Sequence, residues 1–418
     1  MNRLKIIVDG NILAKGMTKD FNRSGIFFMA FNLVNELIKS GLVDVCFFIN
    51  DSQSELKKKL SEEWGKYNIS FFLYKPLSLY KFSLKIQKVK LLYKFVSLFI
   101  NYQKNRQNLL MNDFIRNNNY SVFLSLLNKV PGVISQSNLK KFTVLYDVIP
   151  LISESLYKKK GFIQDSFCWE WFRVIFNSIN PNDYYLAISN HTKNDFIKYS
   201  KSIDPNKVFV TYLPCAESFA PKEMTDDIKK KYGIPVEKKY LFSLFTLEPR
   251  KNFDMAIRAF IVFTKKNKID DLCFVLGGAT WDGVESWIKK YIPEANDNPN
   301  IIRTGYIDDE DIPALYSGSE WFVYTSKYEG FGLPPLEAMR CGCPVIVSNS
   351  SSLPEVVGEA GIQVDCDDLQ QHVAAYERYY FDRQFKEESI SKGFIQAKTF
   401  SWHKTVDEVI RIMNSVCK

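Results

Sequence analysis

Short apolar runs alternate with amphipathic stretches along nearly the whole chain. In the first half the runs are Leu4–Asp9, Val43–Asn50, Ile69–Tyr74, Tyr120–Leu126, Phe142–Tyr146, Tyr184–Ile188 and Val208–Leu213. In the second half they are Tyr240–Phe245, Leu272–Leu276, Ile301–Tyr306, Trp321–Thr325 and Pro344–Ser348. Rich in Val, Ile, Phe and Tyr, they read as buried strands. Between them lie segments of helical period. Ile26–Ser40 places Ile26, Ala30, Leu33, Val34 and Leu37 on one face, and Gly41 ends it. Ser52 and Glu55 form a capping box before a charged helix, and Ser189 caps another. Phe162–Ile179, Asp308–Ser317 and the tail after Phe400 also read as helices. Strand and helix in turn, twice over, predict an α/β protein of two doubly wound, Rossmann-like domains. Pro214–Lys239 is polar, carries Pro214, Pro221 and Pro235, and reads as the connection. The boundaries predicted are 1–218, 219–398 and a terminal helix over 399–418. A chain of 418 residues is too long for one ordinary core.

Composition narrows the class. Hydrophobic residues make up 46% and charged residues 24%, as in soluble globular proteins. No early apolar run resembles a signal peptide, and none reaches the ~18 residues of a membrane span. The eight cysteines are scattered without zinc spacing, which predicts reduced thiols and a cytoplasmic location. His191, His372 and His403 lie far apart, so neither a metal cluster nor a Ser-His-Asp triad is expected. The net charge is +8, and its distribution matters more than its size. From Trp64 to Asn112 there is no Asp or Glu, while Lys66, Lys75, Lys81, Lys85, Lys88, Lys90, Lys94, Lys104 and Arg106 are basic. Phe82, Ile86, Val89, Tyr93, Val96 and Ile100 recur there at helical spacing. One reading is a core-packed helix with a solvated Lys face. The other is a helix lying on an anionic membrane surface, with residues 64–112 as the contact. Nucleic acid is not expected as a partner.

The densest chemistry lies between Trp321 and Gly361. It reads as strand, glycine loop, short helix, strand. Gly330 and Gly332 leave the backbone bare, and Pro334 and Pro335 suit a first helical turn. The N–H groups at such a helix start bind phosphates. Glu329 and Glu337 frame the loop. A carboxylate inside a phosphate-binding helix can accept from both hydroxyls of a ribose, which is the role read for Glu337. The alternative for either residue is a solvated charge favouring the helix dipole. Arg250 and Lys251 stand at another helix start, where cations oppose the dipole. A diphosphate would offset that conflict. The Gly10–Ser24 loop, with Arg23 just before Gly25, follows the first strand and reads as a ligand loop or an ordinary turn. It lacks Gly-x-Gly-x-x-Gly, which weakens an NAD-dependent dehydrogenase. Tyr146-Asp147 ends a parallel strand, where ligands bind in open α/β sheets. Asp309-x-Asp311 and Asp365-x-Asp367 fit acidic helix starts better than metal sites.

Tyr328-Glu-Gly-Phe-Gly-Leu-Pro-Pro-Leu-Glu-Ala338, continued through Gly342, Pro344, Ser348 and Leu353-Pro354-Glu355, resembles the retaining glycosyltransferases of family 4, with their GT-B fold and paired glutamates. The resemblance is strong from about Tyr240 to Trp402 and thin before it. It implies two domains facing across a cleft, with the acceptor on the first, the nucleotide sugar on the second, and the last helix returning to the first. Glu329 would contact the transferred sugar and Glu337 the ribose. Arg250, Lys251 and the N–H groups of Gly330, Phe331, Gly332 and Leu333 would stabilise the leaving diphosphate. Thr246 stands where the family usually has an Arg, with Arg250 supplying the charge instead. Gly277 falls among the donor-side residues. Asp147 follows Tyr146 where members often have His-Asp. Arg23, Gly25 and Tyr146 would face the acceptor and the donor phosphates. No metal or other cofactor is implied for the chemistry. Members with Leu-Glu-Pro-Arg-Lys-Asn include GDP-mannose users, and the composition suits a bacterial surface polysaccharide pathway with a glycan or lipid-linked acceptor. The remaining alternatives are a GT-B sugar-nucleotide epimerase and a non-catalytic partner in an assembly complex.

Overall fold

The computed structural model describes residues 3–17, 25–50, 52–74, 90–127, 129–152, 172–174, 176–244, 249–278 and 284–418. Among these residues the strands form two parallel sheets. The first holds β1 (Leu4–Asp9), β2 (Val43–Asn50), β3 (Ile69–Tyr74), β4 (Val122–Ser125), β5 (Lys140–Leu145), β6 (Tyr184–Ala187) and β7 (Val208–Val210) in the order β3-β2-β1-β4-β5-β6-β7. The second holds β8 (Lys239–Leu244), β9 (Leu272–Gly277), β10 (Ile301–Gly305), β11 (Phe322–Tyr324), β12 (Val345–Ser348) and β13 (Ile362–Val364) in the order β10-β9-β8-β11-β12-β13. Both sheets reverse direction at one place, between β1 and β4 and between β8 and β11. This is the doubly wound topology, twice, and the two units are arranged as a GT-B fold. Helices cover the sheet faces, which is why the strands read as continuous apolar runs rather than alternating ones.

Packing explains the local choices. The Ser54–Trp64 helix ends on a tryptophan only 1% exposed. Trp64 stacks on Phe47 of β2 at 5.5 Å, meets Phe31 at 5.2 Å, and donates from Nε1 to Asn35 Oδ1 at 3.1 Å. In the second unit Trp321 is fully buried against Phe263, Tyr376 and Tyr379. The final helix, Trp402–Cys417, leaves the second unit and packs on the Gly25–Lys39 helix of the first. Thr405 Oγ1 donates to the Tyr212 carbonyl at 2.7 Å along the way.

Several local expectations change. The Ser52/Glu55 capping box does not form: Gln53 occupies the cap, and the Ser52 hydroxyl pairs with Asn50 Oδ1 instead. The Gly10–Ser24 loop begins with a helical segment, Asn11–Met17, held where Asp9 Oδ1 accepts from the Asn11 backbone and side chain. The helix expected from Asp308 starts at Ile312, after a turn in which the Asp311 N–H donates to the Asp308 carbonyl at 2.9 Å; the Asp311 carboxylate pairs with Lys231 and Tyr232 and makes no cap bond. The Phe162–Ile179 helix lies largely outside the described residues, as do Arg23, Thr246, Lys81, Lys85 and Lys88.

The basic stretch contains one long helix, Lys90–Asn118. Met111 and Ile115 face the core. Leu98, Phe99, Tyr102, Leu109 and Leu110 are exposed, at 58%, 47%, 64%, 65% and 55%. At ~100° per residue these five fall within an arc of about 120°, turned away from Met111 and Ile115. The packed face and the exposed apolar face are therefore different faces. Among the described residues no helix is long and apolar enough to cross a membrane.

Trp64→Ala should remove about 3–5 kcal/mol from the first unit, as for large aromatic deletions in a core. Urea denaturation followed through that unit checks it, and a loss below ~1 kcal/mol would mean the site collapses freely around the change.

Candidate active site

The two switch points face each other, and the ends of β8 and β11 supply the charged groups. Beyond β8 the chain makes a single 3-10 turn, Pro249–Lys251, before Asn252 takes a left-handed conformation (φ 58°) and the Phe253–Asn267 helix begins. The turn aims Arg250 and Lys251 sideways at the loop after β11. Arg250 Nη1 lies 2.9 Å and Lys251 Nζ 2.8 Å from Glu329 Oε1. Tyr324 donates from its hydroxyl to the same oxygen at 3.1 Å, and Lys251 sits over the Tyr324 ring at 5.0 Å. Arg250 Nη1 also donates to the Tyr328 carbonyl at 2.6 Å. Burial alone pushes the Glu329 carboxyl upward, but Arg250 and then Lys251 outweigh it and hold it down at about 2. One carboxylate thus faces two buried cations.

The loop that follows is pressed against the first unit. A Cβ on Gly330 would lie 2.3 Å from the Tyr146 carbonyl oxygen and 2.9 Å from Asp147 Cβ, so only glycine fits there. Gly332 has φ 120° and caps the Leu333–Arg340 helix, whose prolines fill the first turn. Asp147 follows β5 and accepts from the Ile149 N–H at 2.9 Å. Burial raises its carboxyl above the usual range, with Arg250 pulling the other way and Glu329 pushing. Tyr146 is buried, and burial pushes its phenol well up.

Glu337 lies one turn into that helix, beside a cavity of about 260 Å³ lined by Gly25, Phe28, Asn32, Phe219, Asp309 and Glu337 among others. Both units contribute walls. Tyr316, fully buried, donates to Glu337 Oε2 at 3.1 Å. Burial pushes the Glu337 carboxyl up to about 7, the Tyr316 hydroxyl opposes this, and Asp309 adds to it.

The predicted residues thus separate into groups. Arg250, Lys251, Glu329, Gly330 and Asp147 come together. Glu337, Gly25 and Leu333 line the adjoining cavity. The Phe331 ring turns inward onto Phe400 and Tyr212, leaving only its backbone for a ligand. Gly277 ends β9, where a Cβ would meet Ile307 Cδ1 at 2.3 Å and the Phe242 ring at 3.0 Å, so a side chain there would have to displace its neighbours. Asp309 and Asp311 belong to helix-start surroundings, and Asp367 pairs with Lys327. Sequence reasoning missed Tyr316 and Tyr324, which hold the two glutamates. Both sit in stretches whose aromatic character reads as core alone.

Residues 224–396 match the family described as glycosyl transferases group 1. This part of the chain is a group 1 glycosyl transferase domain. The chain is also similar to the O-antigen chain mannosyltransferase B of Escherichia coli, 31% identical over 241 residues, which are 57% of this chain and 62% of that protein. It is 29% identical over 284 residues to the serotype-specific mannosyltransferase WbdA of Escherichia coli, covering 66% of this chain and 34% of that protein. It therefore spans less than two thirds of either relative. In three dimensions it resembles the crystal structure of Anabaena Alr3699/HepE in complex with UDP, with a TM-score of 0.66, 16% identity, and coverage of 99% of this chain and 100% of that one. The group 1 domain contains Arg250, Lys251, Glu329 and Glu337, while Asp147 and Tyr146 lie outside it.

Because the Glu329 carboxyl titrates near 2 in the folded protein and near 4.5 otherwise, its stabilising contribution is complete above pH 4.5 and drains away as the pH falls toward 2. The contribution is roughly 3 kcal/mol. Glu329→Gln should lose about 3–5 kcal/mol at pH 7, leaving two buried cations without their carboxylate. The gap from wild type should shrink between pH 4.5 and pH 2. Denaturation midpoints at several pH values test this, and a gap constant with pH would contradict it.

Proposed function

We propose that the protein is a retaining glycosyltransferase that moves mannose from GDP-mannose to a hydroxyl of a glycan or lipid-linked acceptor in bacterial surface polysaccharide synthesis. The observation that carries this reading is the Arg250–Glu329–Lys251 cluster at the switch point of the second sheet, next to the Gly330–Leu333 loop. As the sugar–phosphate bond breaks, negative charge collects on the departing diphosphate. Arg250, Lys251 and the loop N–H groups are already oriented for it, which is electrostatic preorganisation. Glu329 keeps the two cations in place before the donor arrives and reaches the transferred sugar from the same position. Asp147 faces the reacting region from the first unit. Glu337 receives the ribose hydroxyls. With two cations at the leaving group, no metal or cofactor is assigned to the chemistry. Mannose is supported by the names of the two Escherichia coli relatives.

A transfer assay with GDP-, UDP- and TDP-sugars in EDTA tests the reading, the expected outcome being transfer from GDP-mannose. Activity lost in EDTA and restored by Mg²⁺ or Mn²⁺ would overturn the metal-free assignment. The Glu337 carboxyl adds a pH dependence. Only its ionised form accepts from both ribose hydroxyls, so donor affinity should rise roughly tenfold from pH 6 to pH 8 as that form becomes dominant. Glu337→Gln should flatten the rise. Calorimetric titration showing the same slope in wild type and variant would remove Glu337 from the ribose.

The Lys90–Asn118 helix gives this enzyme a route to a membrane-attached acceptor. Its exposed Leu98, Phe99, Tyr102, Leu109 and Leu110 suit the interfacial region of a bilayer, and the acid-free surroundings suit an anionic leaflet. The protein would then be a peripheral one on the inner face of the plasma membrane. Lys94 belongs to this helix, but its side chain, like Lys81, Lys85 and Lys88, lies outside the described residues. Leu98, Phe99 and Tyr102 changed together to Ser should abolish sedimentation with anionic vesicles, and 1 M salt should weaken it in wild type as the Debye length falls to ~3 Å. Equal binding of wild type to neutral and anionic vesicles would refute the electrostatic part.

A further inference from the structure

One helix of the first unit, Asn190–Tyr199, holds the second unit at three places. Its cap, Ser189, accepts from the Thr192 N–H at 2.9 Å and donates to the Gly330 carbonyl at 2.7 Å. Thr192 Oγ1 lies 3.0 Å from the Gly330 carbonyl and 3.0 Å from the Tyr146 carbonyl. Both side chains are completely buried. Farther along the helix, Asp195 accepts from the Tyr328 hydroxyl at 2.6 Å. At its first turn the Asn190 and His191 N–H groups, each 3.0 Å away, donate to the Glu355 carboxylate.

We infer that Ser189 and Thr192 are positioning residues that set the register between acceptor side and donor side by fixing the Gly330 carbonyl against Tyr146. The inference rests on the glycosyltransferase reading for its effect on rate, but the contact itself does not. Capping fixes the Ser189 rotamer, so its proton has one direction available, toward Gly330. Thr192 shares its single proton between two carbonyls that belong to different units. Those carbonyls immediately flank the residues assigned to chemistry, Asp147 after Tyr146 and Glu329 before Gly330. The missing Gly330 side chain lets the two backbones touch, and the two hydroxyls decide where along each other they stop. A shift there moves Asp147 relative to the diphosphate-binding loop. The charged groups assigned to the donor, Arg250, Lys251 and Glu337, all belong to the second unit, so donor affinity depends on this register less than the rate does.

The test compares wild type, Thr192→Val, Thr192→Ser and Ser189→Ala. Valine keeps the shape of threonine and removes the hydroxyl. Thr192→Val should lower kcat about 10- to 100-fold, as small misplacements of reacting groups do, with a much smaller change in donor Kd. Thr192→Ser should restore most of the rate. Unchanged kcat in Thr192→Val, or a donor Kd that weakens in step with kcat, would overturn the inference. Hydrogen exchange gives a readout that needs no activity. Peptides covering 143–150 and 327–336 should exchange roughly 5- to 10-fold faster in Thr192→Val and in Ser189→Ala, the size expected for one lost buried hydrogen bond. Unchanged exchange in both peptides would overturn it even where no sugar donor is found. A wild type without transfer but with the exchange change in place would count against the proposed activity alone.

Discussion

The structure depends on burying one carboxylate between two cations. Glu329, Arg250 and Lys251 are each nearly removed from water. Taking three charges out of solvent is unfavourable, and their mutual attraction offsets it only with close geometry and added hydrogen bonds. That requirement explains the surrounding architecture. The 3-10 turn after β8 sets the two cations side by side, Tyr324 adds a hydroxyl to the carboxylate, and the Tyr328 carbonyl takes a guanidinium proton. The triad carries a net positive charge.

The fold delivers this triad by repetition. Each unit is a parallel sheet that reverses at one strand pair, and each reversal opens a crevice at the C-terminal strand ends. Placed face to face, the two crevices share one space. The second unit brings cations and bare backbone to it, while the first brings Asp147 and the capped helix at Ser189. At Gly330 the loop lies so close to Tyr146 and Asp147 that a Cβ would not fit. A glycine there serves sterics rather than flexibility, because a neighbouring unit occupies the space a side chain would need.

Much of this is legible in the sequence. The apolar runs located the strands because both sheets are covered on two faces. The Glu329–Glu337 pair stood out because Gly, Gly and two Pro residues cannot share a stretch without a turn and a helix start. Arg250 and Lys251 stood out because cations at a helix start are electrostatically misplaced. Partner residues were not legible. Tyr316 and Tyr324 look like core, and only the direction of one hydroxyl separates holding a carboxylate from filling space. Ser189 reads correctly as a cap, yet its second role joins positions 141 residues apart. The Ser52/Glu55 box failed for the opposite reason. Its motif is local, but Asn50 competes for the serine hydroxyl. The amphipathic helix after Lys90 has apolar residues on two faces, and a periodicity argument does not say which of them the core takes.

The return of the Trp402–Cys417 helix to the first unit bears on how such a protein is recombined. The polypeptide passes between units twice, once after β7 and once before Trp402. A chimera made by grafting everything after residue 218 from another source would import a foreign helix onto the Gly25–Lys39 surface. It would also lose the Thr405 bond to Tyr212. Exchange of the donor-side unit requires two junctions, with the terminal helix left to the parent of the first unit. The cassette that can travel is an insertion within the first unit rather than the second half of the chain.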